Sequence, residues 1–560
     1  MPMITALSWV PRGHAAQHPT RAIFDEEEYE RISKLAKIEL EEAKAGLETA
    51  RRELANGSGT SGDDSSNIGG AKLKEDEEDN EEDNEEEKVD DDVDDELKEY
   101  DMEHYDDDLE DGDAMENGDE RGLQSSIFGN IKGLAYYKDQ NDDPYITLPE
   151  GGEEEDEEER EELQVLPTDN MLLAARVEDE VAHLEVYIYE DEADNLYVHH
   201  DVMLPAVPLC VEWVNSRPNV KETDGGNFAA VGTMEPEIEI WDLDIVDGMF
   251  PATVLGQNTQ SGNENIAEPA TKKKKKRKHS KKANDAYHVD AVLALAANRQ
   301  HRNLLASASA DMTTKLWDLS TCTAAHSYSY HTDKVCTLSW HPTQSSVLLS
   351  GSYDRTIVAA DMRAPGSAVP RWGVESDVEQ VRWDPHNEST FYVSTENGVL
   401  HCFDARQLPS SPEKSKALWR LQAHDQALST FSVNPTVPGF IATASTDRMV
   451  KLWNISTDST GPSMVTSRNL DVGKVFSANF APDGEVSFRL AVAGSKGLVK
   501  VWDTSTNKAI REAFADRVNM AEGEVKERLV GLEMDDEMEE EEEEAEENGG
   551  DRGWESMDED

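Results

Sequence analysis

The chain has 560 residues, enough for a large buried core, yet 31% of them are charged and the formal net charge is −66. No window approaches 18 consecutive apolar residues, which excludes a membrane-spanning helix. Four cysteines (Cys210, Cys322, Cys336, Cys402) form no C-x-x-C pair. With no signal peptide, they read as reduced, mostly buried thiols of an intracellular protein.

The charge is concentrated. Segments 57–120, 153–162 and 533–560 hold 57 of the 119 acidic residues against six basic ones, so they carry −51. These segments hold too little apolar surface to offset the entropy of ordering, and they read as disordered. The rest is an ordinary, mildly acidic globular chain.

In chain order, MITALSWVP (3–11) reads as a strand, with an ending that resembles Trp340-His341-Pro342 and Trp383-Asp384-Pro385 further on. Asp25-Glu26-Glu27-Glu28 is a capping pattern that opens a helix to about Leu54. Ile32, Leu35, Ala36, Leu40, Ala43 and Leu47 lie on one face of it. The helix either covers the globular part or binds a partner. Within the acidic tract, Leu97, Tyr100, Met102 and Tyr105 form a candidate docking motif, the alternative being a chance cluster. After the acidic loop at 150–163, segments 171–189 and 195–204 supply three alternating strands.

From 208 onward the pattern repeats. LLASASADMTTKLWDLS (304–320) is two short strands around a polar turn at Asp311-Met312. LLSGSYDRTIVAAD (348–361), FIATASTDRMVKLWN (440–454) and LAVAGSKGLVKVWD (490–503) repeat it. The third strands end at Trp317, Ala360, Phe403, Trp453 and Trp502, with spacings of 43, 43, 50 and 49 residues. Repetition at this period with a Trp-Asp ending selects a WD40-type, all-β, seven-bladed propeller. The expected layout has a first strand at 1–11 and an insertion at 12–126. The propeller follows over 127–515, broken by the acidic loop and a basic loop at 257–286, and an acidic tail runs over 516–560. NKAIREAF (507–514) is read as an outer strand, and the N-terminal strand is expected to share the closing blade's sheet with C-terminal strands.

In the strongest repeats a histidine precedes the third-strand end by 29 residues: His288 and Trp317, His331 and Ala360, His424 and Trp453. The turn aspartates Asp311, Asp354 and Asp447 lie between. With a hydroxyl at Ser307 or Ser309, such residues make a buried network in which carboxylate, imidazole, hydroxyl and indole satisfy one another. Trp502 is assigned to the same network. Blade five has Asn397 and Phe403 in these places and blade seven has no histidine, so both are expected to rest on apolar packing. A hydrolase triad fails because the set recurs and no G-x-S-x-G turn exists. Gly494-Ser495-Lys496-Gly497 lacks the spacing of a phosphate loop. His199-His200-Asp201 is a poor metal site, because adjacent strand residues face opposite sides. No enzyme, cofactor, metal or small-molecule substrate is implied.

The basic run Lys272, Lys273, Lys274, Lys275, Lys276, Arg277, Lys278, Lys281 and Lys282 reads as a nuclear import signal able to touch RNA phosphates. The alternative is a solvated loop neutralised by the acidic tracts. The endings Asp361-Met362-Arg363 and Asp404-Ala405-Arg406 approach a box by which some propellers dock on cullin-RING ligase adaptors, although Arg pairing with its local carboxylate is the commoner role.

Beyond the generic repeat, the chain resembles the periodic tryptophan protein 1 family of nucleolar WD-repeat proteins. The residues that carry the resemblance are SWVPRG (8–13), EYDMEHYD (99–106), DPYITL (143–148), LEVYIYE (184–190), YVHHDVMLPAVPLCVEWVN (197–215), IEIWDLDIVDG (238–248), HVDAVLALA (288–296), LASASAD (305–311) and HTDKVCTL (331–338). The resemblance implies a non-catalytic scaffold in nucleolar ribosome biogenesis that supports precursor rRNA processing and 60S assembly. Its implied partners are pre-60S assembly factors and ribosomal proteins, with precursor rRNA as a further one. Histones are admitted by the acidic tracts, and a chromatin-binding propeller or a ubiquitin-ligase substrate receptor are the alternative functions.

Overall fold

The computed structural model describes residues 2–22, 160–161, 163–179, 181–220, 225–257, 284–364, 369–455, 461–518 and 526–531. The expected helix at 25–54, the Tyr100, Met102 and Tyr105 cluster and the basic run 272–282 lie outside these residues. So do the acidic stretches 57–120 and 533–560 and most of 153–162.

Short alternating segments separated by polar turns form seven four-stranded antiparallel sheets. Blade one takes Met3–Val10 as its inner strand, followed outward by Asn170–Glu178, Val181–Glu190 and Asn195–Leu204. Blade two runs from Pro208–Val214 to Thr253–Leu255, and a two-residue parallel pair, Thr20–Arg21 with Ile245–Val246, ties the N-terminal segment to it. Blades three to seven follow in order along the chain.

Second-to-third strand turns of six blades use a left-handed residue: Asp179, Met312, Arg355, Gly398, Arg448 and Gly497, with φ between 51° and 78°. At Gly398 the backbone also passes against the His424 carbonyl, so no side chain fits there. Six of the seven inner strands shift register at equivalent places, for example between Val292 and Ala294 and between Val335 and Thr337. Such bulges sharpen the local twist.

Seven apolar clusters hold the disk together, each spanning the seam between two neighbouring blades. At the closing seam, Ile4, Leu7 and Trp9 of blade one pack with Ala491, Ala493, Val499 and Val501 of blade seven. Leu7 N–H donates to Ser477 Oγ (3.2 Å), and Trp9 Nε1–H donates to the Asn479 carbonyl (2.9 Å).

Two expectations change here. Residues 508–514 form a helix, capped by Asn507 and burying Ile510 and Phe514, rather than an outer strand. The outer strand of blade seven is Leu529–Gly531, so the propeller extends past 515 into the segment read as tail. The ring is also closed differently: among the described residues no sheet mixes N- and C-terminal strands, and blade one packs against blade seven.

Candidate functional site: polar blade networks and a charged central channel

In blade three, the first-strand approach, second strand and turn bring four side chains together. His288 Nδ1 lies 3.0 Å from Asp311 Oδ2, His288 Nε2 lies 2.6 Å from Ser307 Oγ, and Trp317 Nε1–H donates to Ser307 Oγ at 2.8 Å. Thr313 Oγ1–H and the Val289 N–H also donate to Asp311. Ser309 is outside this chain; its Oγ accepts from Asp311 N–H and donates to the Asp290 carbonyl. Blade six repeats the arrangement with Thr443 as the hydroxyl: His424 to Asp447 at 2.8 Å, to Thr443 at 2.9 Å, and Trp453 to Thr443 at 2.8 Å. Blade four keeps His331, Asp354 and Ser350 without an indole, and its Ser350 hydroxyl lies 3.5 Å from the Val358 carbonyl, as Thr443 of blade six lies 3.4 Å from that of Lys451.

The electrostatics agree with an ionised aspartate beside a neutral imidazole. Burial opposes the charge of Asp311, but the bonds from His288 and Thr313 outweigh it and hold its pKa below the usual carboxylate range. Burial lowers the pKa of His288 despite Asp311. His, Asp and Ser at these distances match the geometry of a hydrolase triad. Ser307, however, is 0% exposed and its oxygen is taken by Trp317, so no substrate atom reaches it.

Trp502 does not join such a network: among the described residues its buried Nε1–H finds no acceptor, and the Arg468 guanidinium lies 5.4 Å from its ring. Blade seven also departs from purely apolar packing. Arg489, 8% exposed, bonds Asp503 (2.7 Å) within its blade and Asp191 (2.7 Å) of blade one. Arg528, just before the last strand, reaches Asp191 and Asp194 as well. Nothing in the periodic pattern marks this clasp. Blade five is filled by rings, with Phe391 packed against Trp372, Trp383 and Phe403.

The histidine pair also differs from the expectation. His199 is the extra residue of a bulge opposite Val186 and Tyr187, which breaks the alternation at 199–200, and its Nδ1 lies 2.8 Å from His200 Nδ1. His199 Nε2 donates to the Leu163 carbonyl. Among the described residues no third ligand completes a metal site. Arg363 and Arg406 each fold back on their own aspartates, at 2.7 Å to Asp361 and 2.9 Å to Asp404. Two cysteines serve the seams: Cys336 Sγ donates to the Val378 carbonyl of the next blade (3.0 Å), and Cys210 Sγ to that of Val292 (3.6 Å). Burial pushes the Cys210 and Cys402 thiols up to about 12.

The seven inner strands enclose a central channel of about 560 Å³. Backbone N–H groups of Val381 and Trp383 donate to Thr337 and Ser339, both 44 residues earlier, so neighbouring inner strands run in the same direction and residues form levels. Glu379, toward the strand starts, also lines the channel. Burial, with Glu396 and Asp377 nearby, pushes its pKa up to about 7.

The WD40 family (WD domain, G-beta repeat) matches residues 285–318, 322–359 and 415–454, which are most of blades three, four and six. An uncharacterized WD repeat-containing protein of Schizosaccharomyces pombe is 46% identical over 95% of this chain and 95% of its own length. Periodic tryptophan protein 1 of Saccharomyces cerevisiae is 37% identical over 94% of this chain and 92% of its own. The Drosophila melanogaster homolog of periodic tryptophan protein 1 is 29% identical over 74% of this chain and 83% of its own. With a seven-bladed WD40 propeller and similarity that spans nearly the whole chain, the protein belongs to the periodic tryptophan protein 1 family.

Proposed function

We propose that this protein is a non-catalytic scaffold of nucleolar ribosome biogenesis, supporting precursor rRNA processing and assembly of the large subunit. The observation that carries the reading is the end-to-end similarity to periodic tryptophan protein 1, on a WD40 propeller whose most triad-like residues are buried as struts. A disk of seven blades offers two faces and a rim to several partners at once. Pre-60S assembly factors and ribosomal proteins are the partners, with precursor rRNA beside them. Basic proteins of this kind are attracted by a chain of net charge −66. The run from Lys272 to Lys282 serves nuclear import. A ligase-receptor role draws no support from Arg363 and Arg406, whose guanidinium groups already hold their own aspartates.

Sedimentation of nuclear extract on a gradient, with and without RNase, tests the reading. The protein is expected to migrate with large-subunit precursors and to move to light fractions after RNase. Migration in light fractions under both conditions, together with histones or a ligase adaptor, would replace the scaffold reading.

A further inference from the structure

One level of the central channel has a composition that the propeller itself does not require. Seven residues, one from each inner strand and each followed by an aromatic or aliphatic residue, stand at this level: Ser8, Glu212, Ala296, Ser339, Arg382, Ser432 and Asn479. The three hydroxyls have a common arrangement. Ser8 Oγ accepts from Trp213 N–H (3.4 Å), Ser339 Oγ from Trp383 N–H (3.3 Å) and Ser432 Oγ from Phe480 N–H (3.1 Å). Their oxygens are thereby engaged as acceptors, and among the described residues none of the three O–H groups has an acceptor of its own. Each is a spare donor at the channel wall.

Arg382 adds a charge to this ring. Its Nη2–H donates to Asn479 Oδ1 across the channel (3.1 Å), while its buried Nε–H has no acceptor among the described residues. Asn479 is neutral, and among the described residues no carboxylate pairs directly with the guanidinium, although Glu212 acts on it at longer range. Glu212, the carboxylate at the same level, is bonded by Arg299 Nη2 (2.8 Å) and by the Ala297 N–H. Counting Arg382, Arg299 and Glu212, the level carries one net positive charge inside a chain of −66. Burial depresses the pKa of Arg382, the sign of a cation held where water solvates it poorly. Three residues earlier on the same strand, the acidic Glu379 lines the other end of the channel, with Glu396 and Asp377 nearby. An anion therefore gains by entering from the strand-end mouth, where Arg299 stands.

We propose that this level of the channel is a carboxylate-binding site, in which Arg382 forms the ion pair and the hydroxyls of Ser8, Ser339 and Ser432 donate to the remaining oxygen lone pairs. A carboxylate matches the ring because it takes several donors in a small volume and brings one charge for one cation. The group comes either from a free organic acid or from a Glu or Asp side chain inserted by a partner, and both use the same contacts.

The test uses the full chain at fixed ionic strength, with acetate as the free carboxylate and a capped hexaglutamate peptide as the side-chain source. Binding is read by thermal melting and by fluorescence anisotropy of labelled peptide. Arg382→Gln is expected to weaken both ligands at least tenfold. Ser339→Asp places a carboxylate on the neighbouring strand at the same level, and is expected to raise the melting temperature while abolishing the response to added ligand. This second variant keeps the test open if Arg382→Gln folds poorly. Peptide and acetate binding, both lost in the variants, support a site for a partner's acidic side chain. Acetate binding alone, lost in the variants, supports a site for a free acid. An undiminished response in both variants, or none in the wild-type chain, overturns the proposal.

Discussion

The blade networks work because each member is both donor and acceptor in the correct order. Asp311 accepts from the imidazole, the imidazole's second nitrogen accepts from Ser307, and Ser307 accepts from the indole. A neutral His288 satisfies every atom, whereas a protonated one would turn its second nitrogen into a donor facing a hydroxyl whose oxygen already serves Trp317. Buried polar chains of this kind are worth about 1 kcal/mol per bond when intact and about 1–3 kcal/mol per orphaned group when broken. His288 and His424, whose pKa values burial lowers, are one source of pH sensitivity. His200 and His401 are a stronger one: they are 7% and 3% exposed, and burial is the main cause that pushes each pKa down to about 4. Near pH 6.5 the unfolded chain takes up protons that the folded chain refuses until about pH 4. Stability is therefore present at neutral pH and falls through that window as pH drops, with a slope of up to about 1.4 kcal/mol per pH unit for each group. Urea unfolding at pH 7 and pH 5 is expected to show this loss, and His401→Phe to reduce the slope. An unchanged slope in the variant would remove His401 as its source.

At the scale of elements, the closing seam depends on the last described strand. Leu529–Gly531 pairs with Lys500–Trp502, and Arg528 at its start joins the clasp of Arg489, Asp191, Asp194 and Asp503. A chain ended after residue 515 loses the strand and Arg528, leaving the edge of blade seven unpaired and Asp191 with one cation fewer. Its melting temperature is expected to fall by about 5 °C or more. A chain ended after residue 532 keeps both and is expected to melt as the full chain does. Equal melting of the two truncations would show that the clasp contributes nothing. At residues 507–514 local pattern prevails over the repeat. Ile510 and Phe514 are four apart, a helical spacing, and Asn507 caps the first turn by accepting from the Ala509 N–H. The cap and spacing are visible in the sequence, but the expectation of one outer strand per blade overrode them.

On the scale of the molecule, closure of the ring joins the first strand to the last blade across some 470 residues of sequence. Met3–Val10 contributes to two seams, since Ile4, Leu7 and Trp9 face blade seven while Val10 packs in the cluster shared with blade two. Removal of residues 1–11 is therefore expected to abolish cooperative folding of the whole disk, not of blade one alone. The measurement is urea unfolding followed by tryptophan fluorescence, and a sharp single transition in the shortened chain would contradict it. The same ring arrangement creates the channel, whose charged levels are assembled from strands contributed by all seven blades.

The sequence by itself determined the WD40 repeat, its all-β character and the seven-bladed architecture. These depend on short-range alternation and on fixed spacing, which a linear chain displays directly. Only the tertiary structure decided which hydroxyl bridges in blade three, that Trp502 stands outside any network, and that a bulge sets His199 against His200. It also decided how the ring closes, and that Arg382, Asn479 and three serines from separate blades stand at one level of the channel. Those outcomes depend on residues brought together from distant parts of the chain. Their juxtaposition is fixed by the parallel register of the inner strands and by bulges that no periodic pattern encodes.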